Sequence, residues 1–293
     1  MFKRFLDPKN DYAFKKIFGA EKNKDILIHF LNDVLDHSTM GTIQEVELLD
    51  KELAPEVQAR KQSFLDILCT DDKGNTYIVE MQVARNKYFI KRAQFYAGKA
   101  YGSQLKAGEG YENLKEVIFL AITDFVLFPD KPGYKSTHGI FDQKSWTQDL
   151  KDFHFTFVEL PKFTKDALDL ESMEDKWCYF FKHATEATEG EIEDLAKNSP
   201  IILRAFDAAD EAGWSEKELA EYEKRLKDRR DADAQLQTAM EEGEQKGIEK
   251  GVDKGREEER LSVAKNMLEI GLPLDTIQKA TGLSLEQIQK LKS

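Results

Sequence analysis

The chain has 293 residues, 41% hydrophobic and 33% charged, with a formal net charge of −12; it is long enough for a substantial core but too polar to bury every segment, so part of it should be solvated helix or tail. Its two cysteines, Cys69 and Cys178, lack CxxC spacing and histidine companions, which argues against a disulfide framework or a zinc site. No apolar run approaches the roughly 18 residues of a membrane span, and the stretch from Met1 to Pro8 meets charges before any signal-like apolar segment, so a cytoplasmic protein without a membrane partner is expected.

In chain order, Asn10 can cap a short helix from Asp11 to Phe18 that Gly19 stops. A second helix follows, with Ile26, Leu27, Phe30, Leu31, Val34 and Leu35 at helical spacing. Residues 42–49 read as a strand. A hairpin comes next: Phe64–Cys69 and Tyr77–Gln82 flank the turn-rich 71–75. Folding it about Lys73 sets Asp66 opposite Glu80 and Phe64 opposite Gln82. Directly opposed carboxylates repel and raise each other's pKa, so the pair calls for a cation or a proton. A hard divalent cation suits it, because Mg²⁺ takes one or two protein carboxylates and leaves positions for water and phosphate oxygens. The bland alternative is that both acids lie on the wet side of an antiparallel sheet.

A net charge of −12 speaks against nucleic acid, since phosphate binding rests on cations. The local distribution differs. From Met81 to Gly108 there is no Asp or Glu, yet Arg85, Lys87, Lys91, Arg92, Lys99 and Lys106 are present. An acid-free basic stretch beside two carboxylates is what a polyanion groove requires; a solvated helix face that happens to lack acids is the competing reading. A helix over about 87–105 would put Tyr88, Arg92, Tyr96 and Lys99 on one aromatic and cationic face.

Residues 116–122 read as a central strand covered on both faces, and 154–160 as a strand nearer an edge. Residues 129–146, with two prolines and two glycines, read as a loop. Helices are expected over 173–184 and 201–212, and Ser215 opens a long charged helix whose narrow apolar stripe suits projection or self-association. Between Glu241 and Arg260, Gly243, Gly247, Gly251 and Gly255 recur every four residues, as a flexible linker or a marginal helix, each glycine costing about 1 kcal/mol relative to alanine. Short helices over 261–270, 274–281 and 285–291 follow, the last with Ser284 and Gln287 as a capping box. The pair around Thr281–Ser284 has helix-turn-helix form, although an oligomerisation cap fits it equally.

The run from Asp7 to Gly19, the hairpin with Asp66 and Glu80-x-Gln82, and the segment from Tyr88 to Tyr96 together resemble the Rpn family of recombination-promoting nucleases, labelled putative transposases, within the PD-(D/E)XK nuclease superfamily. The resemblance implies an α/β fold, a restriction-endonuclease-like mixed sheet flanked by helices, over residues 1–240, with the α/β core to about 160 and a helical part over 164–240. The 241–260 segment and a helical tail over 261–293 follow. It implies a Mg²⁺-dependent DNA endonuclease, with Mn²⁺ able to substitute, linked to recombination, mobile elements or defence. Asp66 and Glu80 match the motif acids and metal ligands, Asp11 the position of a further acid, and Gln82 falls where the superfamily usually has lysine. Glutamine offers no charge there but can hold a water. Arg85, Lys91, Arg92, Tyr96 and Lys99 are the expected DNA contacts, and a homo-oligomer through the C-terminal helices is expected. The competing function is a non-catalytic DNA-binding or regulatory oligomer that keeps the nuclease fold. A DDE-type transposase lacks support in the acid spacing.

Overall fold

The computed structural model describes residues 4–35, 41–50, 52–53, 63–106, 108–197 and 199–291. Two compact units divide the chain, Met1–Leu226 and Lys227–Ser293.

In the first unit Asn10 caps α1 (Asp11–Phe18), accepting hydrogen bonds from the Tyr12 and Ala13 amides at 2.9 and 3.3 Å. The helix ends at Gly19, where a Cβ would lie 2.8 Å from the Lys15 carbonyl oxygen and 3.3 Å from Ile67. Glycine therefore lets α1 turn away directly against the sheet. Then come α2 (Lys24–Val34), β1 (Val46–Leu48), β2 (Glu52–Leu53), β3 (Ser63–Phe64), β4 (Ile67–Asp71), β5 (Thr76–Gln82), α3 (Phe89–Gly102), β6 (Val117–Thr123), β7 (Lys135–Ile140) and β8 (Leu150–Glu159). The helices α4 (Met173–His183), α5 (Glu189–Ala196) and α6 (Pro200–Ala209) lead to α7 (Glu216–Glu269).

The main sheet has six strands in the order β1-β4-β5-β6-β8-β7. β4 and β5 form the expected antiparallel hairpin, with Ile67 opposite Val79. Asp71 builds its turn: one carboxylate oxygen accepts the Lys73 and Asn75 amides at 2.9 and 2.8 Å, and Gly74 takes φ +86°. β5, β6 and β8 run parallel, so the C-terminal ends of all three strands share one edge of the sheet.

Alternation along β5 splits the core. Tyr77, Val79 and Met81 join a large cluster with Phe14, Phe18, Phe30, Trp177, Phe180, Phe181 and Phe206 from the helices on one face. Ile78 joins Leu68, Phe119 and Phe157 against Phe89, Ala93, Ala97 and Ala100 of α3 on the other. Small residues every three or four positions let α3 lie close to the sheet, leaving its other side to solvent.

Several expectations change. Residues 135–140, expected within a loop, form β7, because pairing with β8 supplies backbone partners that the proline and glycine pattern did not promise. This also moves β8 off the edge: it starts at Leu150 and lies between β6 and β7. Phe64 pairs with Glu52, not Gln82, because the chain bends at Asp66 before β4 begins. The glycine repeat lies inside a helix, where Lys246–Glu242 and Lys254–Glu258 ion pairs at i,i+4 spacing offset a small part of the glycine cost. In consequence 261–269 continues that helix instead of forming one of its own.

In the second unit, Ala264, Ile277, Leu283 and Ile288 make a small core. It joins the end of α7 to α8 (Leu274–Thr281) and α9 (Leu285–Lys290), with Gly282 at φ +70° between them and Ser284 and Gln287 forming the expected capping box. No helix of the described residues is long and apolar enough to cross a membrane.

Asp175 ties the helical layer to its loops. Burial raises its pKa, but hydrogen bonds from Lys165, the Ser172 and Glu171 amides and Tyr134 outweigh that and leave it at about 2. Because its folded pKa is depressed, its contribution is present above the ordinary carboxylate range and lost as pH falls through about 2. Asp175→Ala should cost roughly 3 kcal/mol at neutral pH. Urea unfolding at neutral pH and in strong acid checks this, since the difference between variant and wild type must shrink in acid.

Candidate active site

The bend at Asp66 interrupts strand alternation: Leu65 and Leu68, three residues apart, both pack on the α3 side. One step before the first paired residue of β4, Ile67, Asp66 lies beside Glu80. Its amide donates to Glu80 Oε1 at 3.3 Å, and its Oδ2 accepts the Met81 amide at 2.9 Å. Both carboxylates are buried, at 8% and 5% exposure. The two acids of the hairpin thus sit together at the edge of the sheet where β5 ends.

Asp11 reaches the same place from α1, and the side chain that connects it is Lys15. Lys15 Nζ is 2.6 Å from Asp11 Oδ1 and 2.9 Å from Asp66 Oδ1. Arg225, in the first turns of α7, has its Nε 4.0 Å from the other Asp11 oxygen. On the α3 side, Arg92 donates to Gln82 Oε1 and stands 3.9 Å from Glu80 Oε2. The Gln82 amide nitrogen donates to the Ala84 carbonyl at 3.0 Å. The Arg92 guanidinium lies over the Phe89 and Tyr96 rings, 5.0 and 5.8 Å from their centroids. Arg92 Nε is buried and without a hydrogen-bond partner among the described residues.

Electrostatics separates the acids. Burial pushes the Glu80 carboxyl up to about 8, with the neighbouring Asp66 adding to the shift and Arg92 only partly opposing it. Burial also raises Asp66, against the pull of the Lys15 ammonium. Asp11 moves the other way: burial raises it, but the hydrogen bond and charge of Lys15 more than compensate. A buried acid that holds its proton to about pH 8 is short of positive charge.

Among the described residues no three His, Cys, Asp or Glu side chains converge as a ready-made metal cage. The donor set nonetheless fits a hard cation. Asp66 and Glu80 offer adjacent carboxylates, and Glu80 is buried with Arg92 no closer than 3.9 Å, so a divalent ion that keeps part of its water shell needs no third protein acid. Asp66 and Glu80, with Asp11 through a further oxygen, are the groups that could hold it.

Of the expected DNA contacts, Arg92 and Tyr96 pack toward the carboxylates, whereas Arg85 and Lys91 are exposed and Lys99 is half-buried farther along α3. Tyr88 and Phe95, 62% and 53% exposed, stand on the same outer face as Lys91. Lys15 is the residue that sequence reasoning missed; its i,i+4 relation to Asp11 was the available signal, but nothing local tied either to the hairpin.

A family model described as PD-(D/E)XK nuclease family transposase matches residues 8–239. A second, described as Rpn/YhgA-like nuclease family, C-terminal HTH domain, matches residues 257–293. No curated protein and no solved structure matches the chain.

Proposed function

The chain belongs to the PD-(D/E)XK nuclease family of transposases, and from that premise we propose that it is a Mg²⁺-dependent DNA endonuclease that hydrolyses phosphodiester bonds at the Asp66–Glu80 pair. The observation that carries this reading is the pair itself: two buried carboxylates side by side, with burial pushing the Glu80 carboxyl up to about 8. A bound divalent cation supplies Lewis acidity toward a phosphoryl oxygen and lowers the pKa of a coordinated water.

The chain's own residues do the rest. Asp66, fixed by the Met81 amide and the β4–β5 ladder, presents its remaining oxygen with little freedom to reorient. Arg92, held over Phe89 and Tyr96 and bonded to Gln82, keeps a fixed cation beside Glu80. Gln82 serves in this arrangement to orient Arg92. Lys91 and Arg85 on the exposed side contribute phosphate contacts, which release counterions and make binding fall with salt. The C-terminal domain, an HTH domain by its family match, supplies a second DNA contact and, with α7, the means of assembly. Mn²⁺ should substitute for Mg²⁺.

The pH dependence has a definite sign. The folded pKa of Glu80 lies above its unfolded value, so in the absence of metal the protein is most stable with Glu80 protonated and loses stability as pH rises through about 8. Glu80 must release that proton before it could hold a metal. Supercoiled plasmid should therefore be nicked faster as pH rises from about 6 to about 9 at limiting Mg²⁺, and added Mg²⁺ should move the midpoint lower. Chelation should stop nicking. A chain that binds plasmid yet leaves it supercoiled at every pH and Mg²⁺ or Mn²⁺ concentration would instead be a binding module.

A further inference from the structure

Among the described residues two cations stand against the hairpin acids, Lys15 on Asp66 and Arg92 by Glu80, and they are held differently. Arg92 is anchored by Gln82 and two aromatic rings. Among the described residues Lys15 is anchored by Asp11 and Asp66, at 2.6 and 2.9 Å, on a side chain still 28% exposed. Asp66 Oδ2 is taken by the Met81 amide, so the oxygen that Lys15 occupies, Oδ1, is the one open to another cation. Two positive charges cannot share it at close range without strong repulsion. Asp11, one helical turn from Lys15 on α1, keeps a hold on the ammonium wherever the Asp66 contact goes. The Gln82 amide has its oxygen on Arg92 and its nitrogen on the Ala84 carbonyl, so position 82 brings no charge to the site.

We propose that Lys15 is the mobile cation of this site: it neutralises Asp66 before metal loading, gives that oxygen up to the metal, and is then presented by Asp11 to the scissile phosphate. This rests on the reading of the site as a phosphodiesterase. In the reaction the water oxygen bonds to phosphorus and the bond to the leaving sugar oxygen breaks. The attacking water gives up a proton and the leaving oxygen takes one up. Lys15 transfers no proton in this scheme; its fixed charge offsets the negative charge that builds on the phosphate. Lysine suits the role better than arginine, because a compact ammonium on a flexible stem can exchange partners.

The test uses the full-length chain. Wild type, Lys15→Met and Lys15→Arg are titrated with Mn²⁺ by calorimetry without DNA, and plasmid nicking is measured at saturating Mn²⁺. Lys15→Met should bind Mn²⁺ several-fold more tightly, because the competing cation is gone. Its kcat should nonetheless fall about 10²-fold, with KM for plasmid within about twofold, and Lys15→Arg should regain part of the rate. Equal nicking by Lys15→Met and wild type overturns the proposal while leaving the metal site standing. So does weaker Mn²⁺ binding whose rate defect excess Mn²⁺ repairs, since Lys15 would then only prop Asp66. If Lys15→Met does not fold, the Lys15 Nζ resonance of the wild type, assigned by its loss in Lys15→Arg, decides: it should shift on adding Mg²⁺, and a stationary resonance refutes the exchange. Absence of nicking by wild type, with Mn²⁺ binding unchanged in Glu80→Gln, removes the phosphodiesterase reading and this proposal with it.

Discussion

Asp66→Asn and Glu80→Gln should each lower plasmid nicking by about 10³-fold or more while leaving the protein folded. The magnitude follows from losing several kcal/mol of transition-state charge stabilisation when one of two metal-holding carboxylates is removed, at about 1.4 kcal/mol per tenfold. Folding should survive because the neutral amides nearly match the acids in volume, and the side-chain oxygen of the Asp66→Asn variant can still accept the Met81 amide. Glu80→Gln should even stabilise the metal-free protein above about pH 8, since it removes a buried group whose ionised form the fold disfavours. A catalytic loss accompanied by equal or greater thermal stability separates a metal-site role from a structural one. If either variant nicks within about threefold of wild type at saturating Mg²⁺, the carboxylate pair is not the reaction centre.

Phe18→Ala should be strongly destabilising, costing about 4 kcal/mol and lowering Tm by roughly 10 °C. Phe18 is fully buried, and its ring meets those of Phe30, Phe14, Phe181, Trp177 and Phe180 at centroid distances of 5.0, 5.1, 5.5, 5.9 and 6.4 Å. Removing it opens a cavity walled by large rigid rings that cannot close over it. Phe18 also ends the helix that carries Asp11 and Lys15. The substitution should therefore slow plasmid nicking well below the variant's Tm, because α1 loses the packing that holds Lys15 and Asp11 against the hairpin. Phe95→Ala, on the exposed side of α3, is the control and should melt within about 1 °C of wild type. A Phe18→Ala protein that melts like that control would mean that the aromatic cluster is not what secures α1.

The hairpin shows how far local pattern reaches. A glycine-containing turn between two alternating strands sets the register, and register alone places Asp66 beside Glu80. The same logic failed two residues earlier, because the bend at Asp66 releases Phe64 to a different partner. β7 was illegible for a related reason: its Pro- and Gly-rich approach resembles a loop, and only its pairing with β8 makes residues 135–140 a strand. The glycine repeat failed in the opposite direction. Glycine propensity argues against helix, whereas the Glu–Lys pairs along the same segment favour it, and the helix wins.

The family, the α/β class and the paired acids were all legible in the sequence, because each depends on short-range periodicity, turn chemistry or motif order. The partners of those acids were decided by tertiary packing. Lys15 meets Asp66 only because the aromatic side of α1 seats it on the sheet and Gly19 lets it lie close to Ile67. Arg92 turns inward to Gln82 because the Ala93, Ala97 and Ala100 stripe docks α3 on the opposite face. Local sequence specifies which residues share a strand face; which helix brings a charge to that face is set by the packing of residues far apart in the chain.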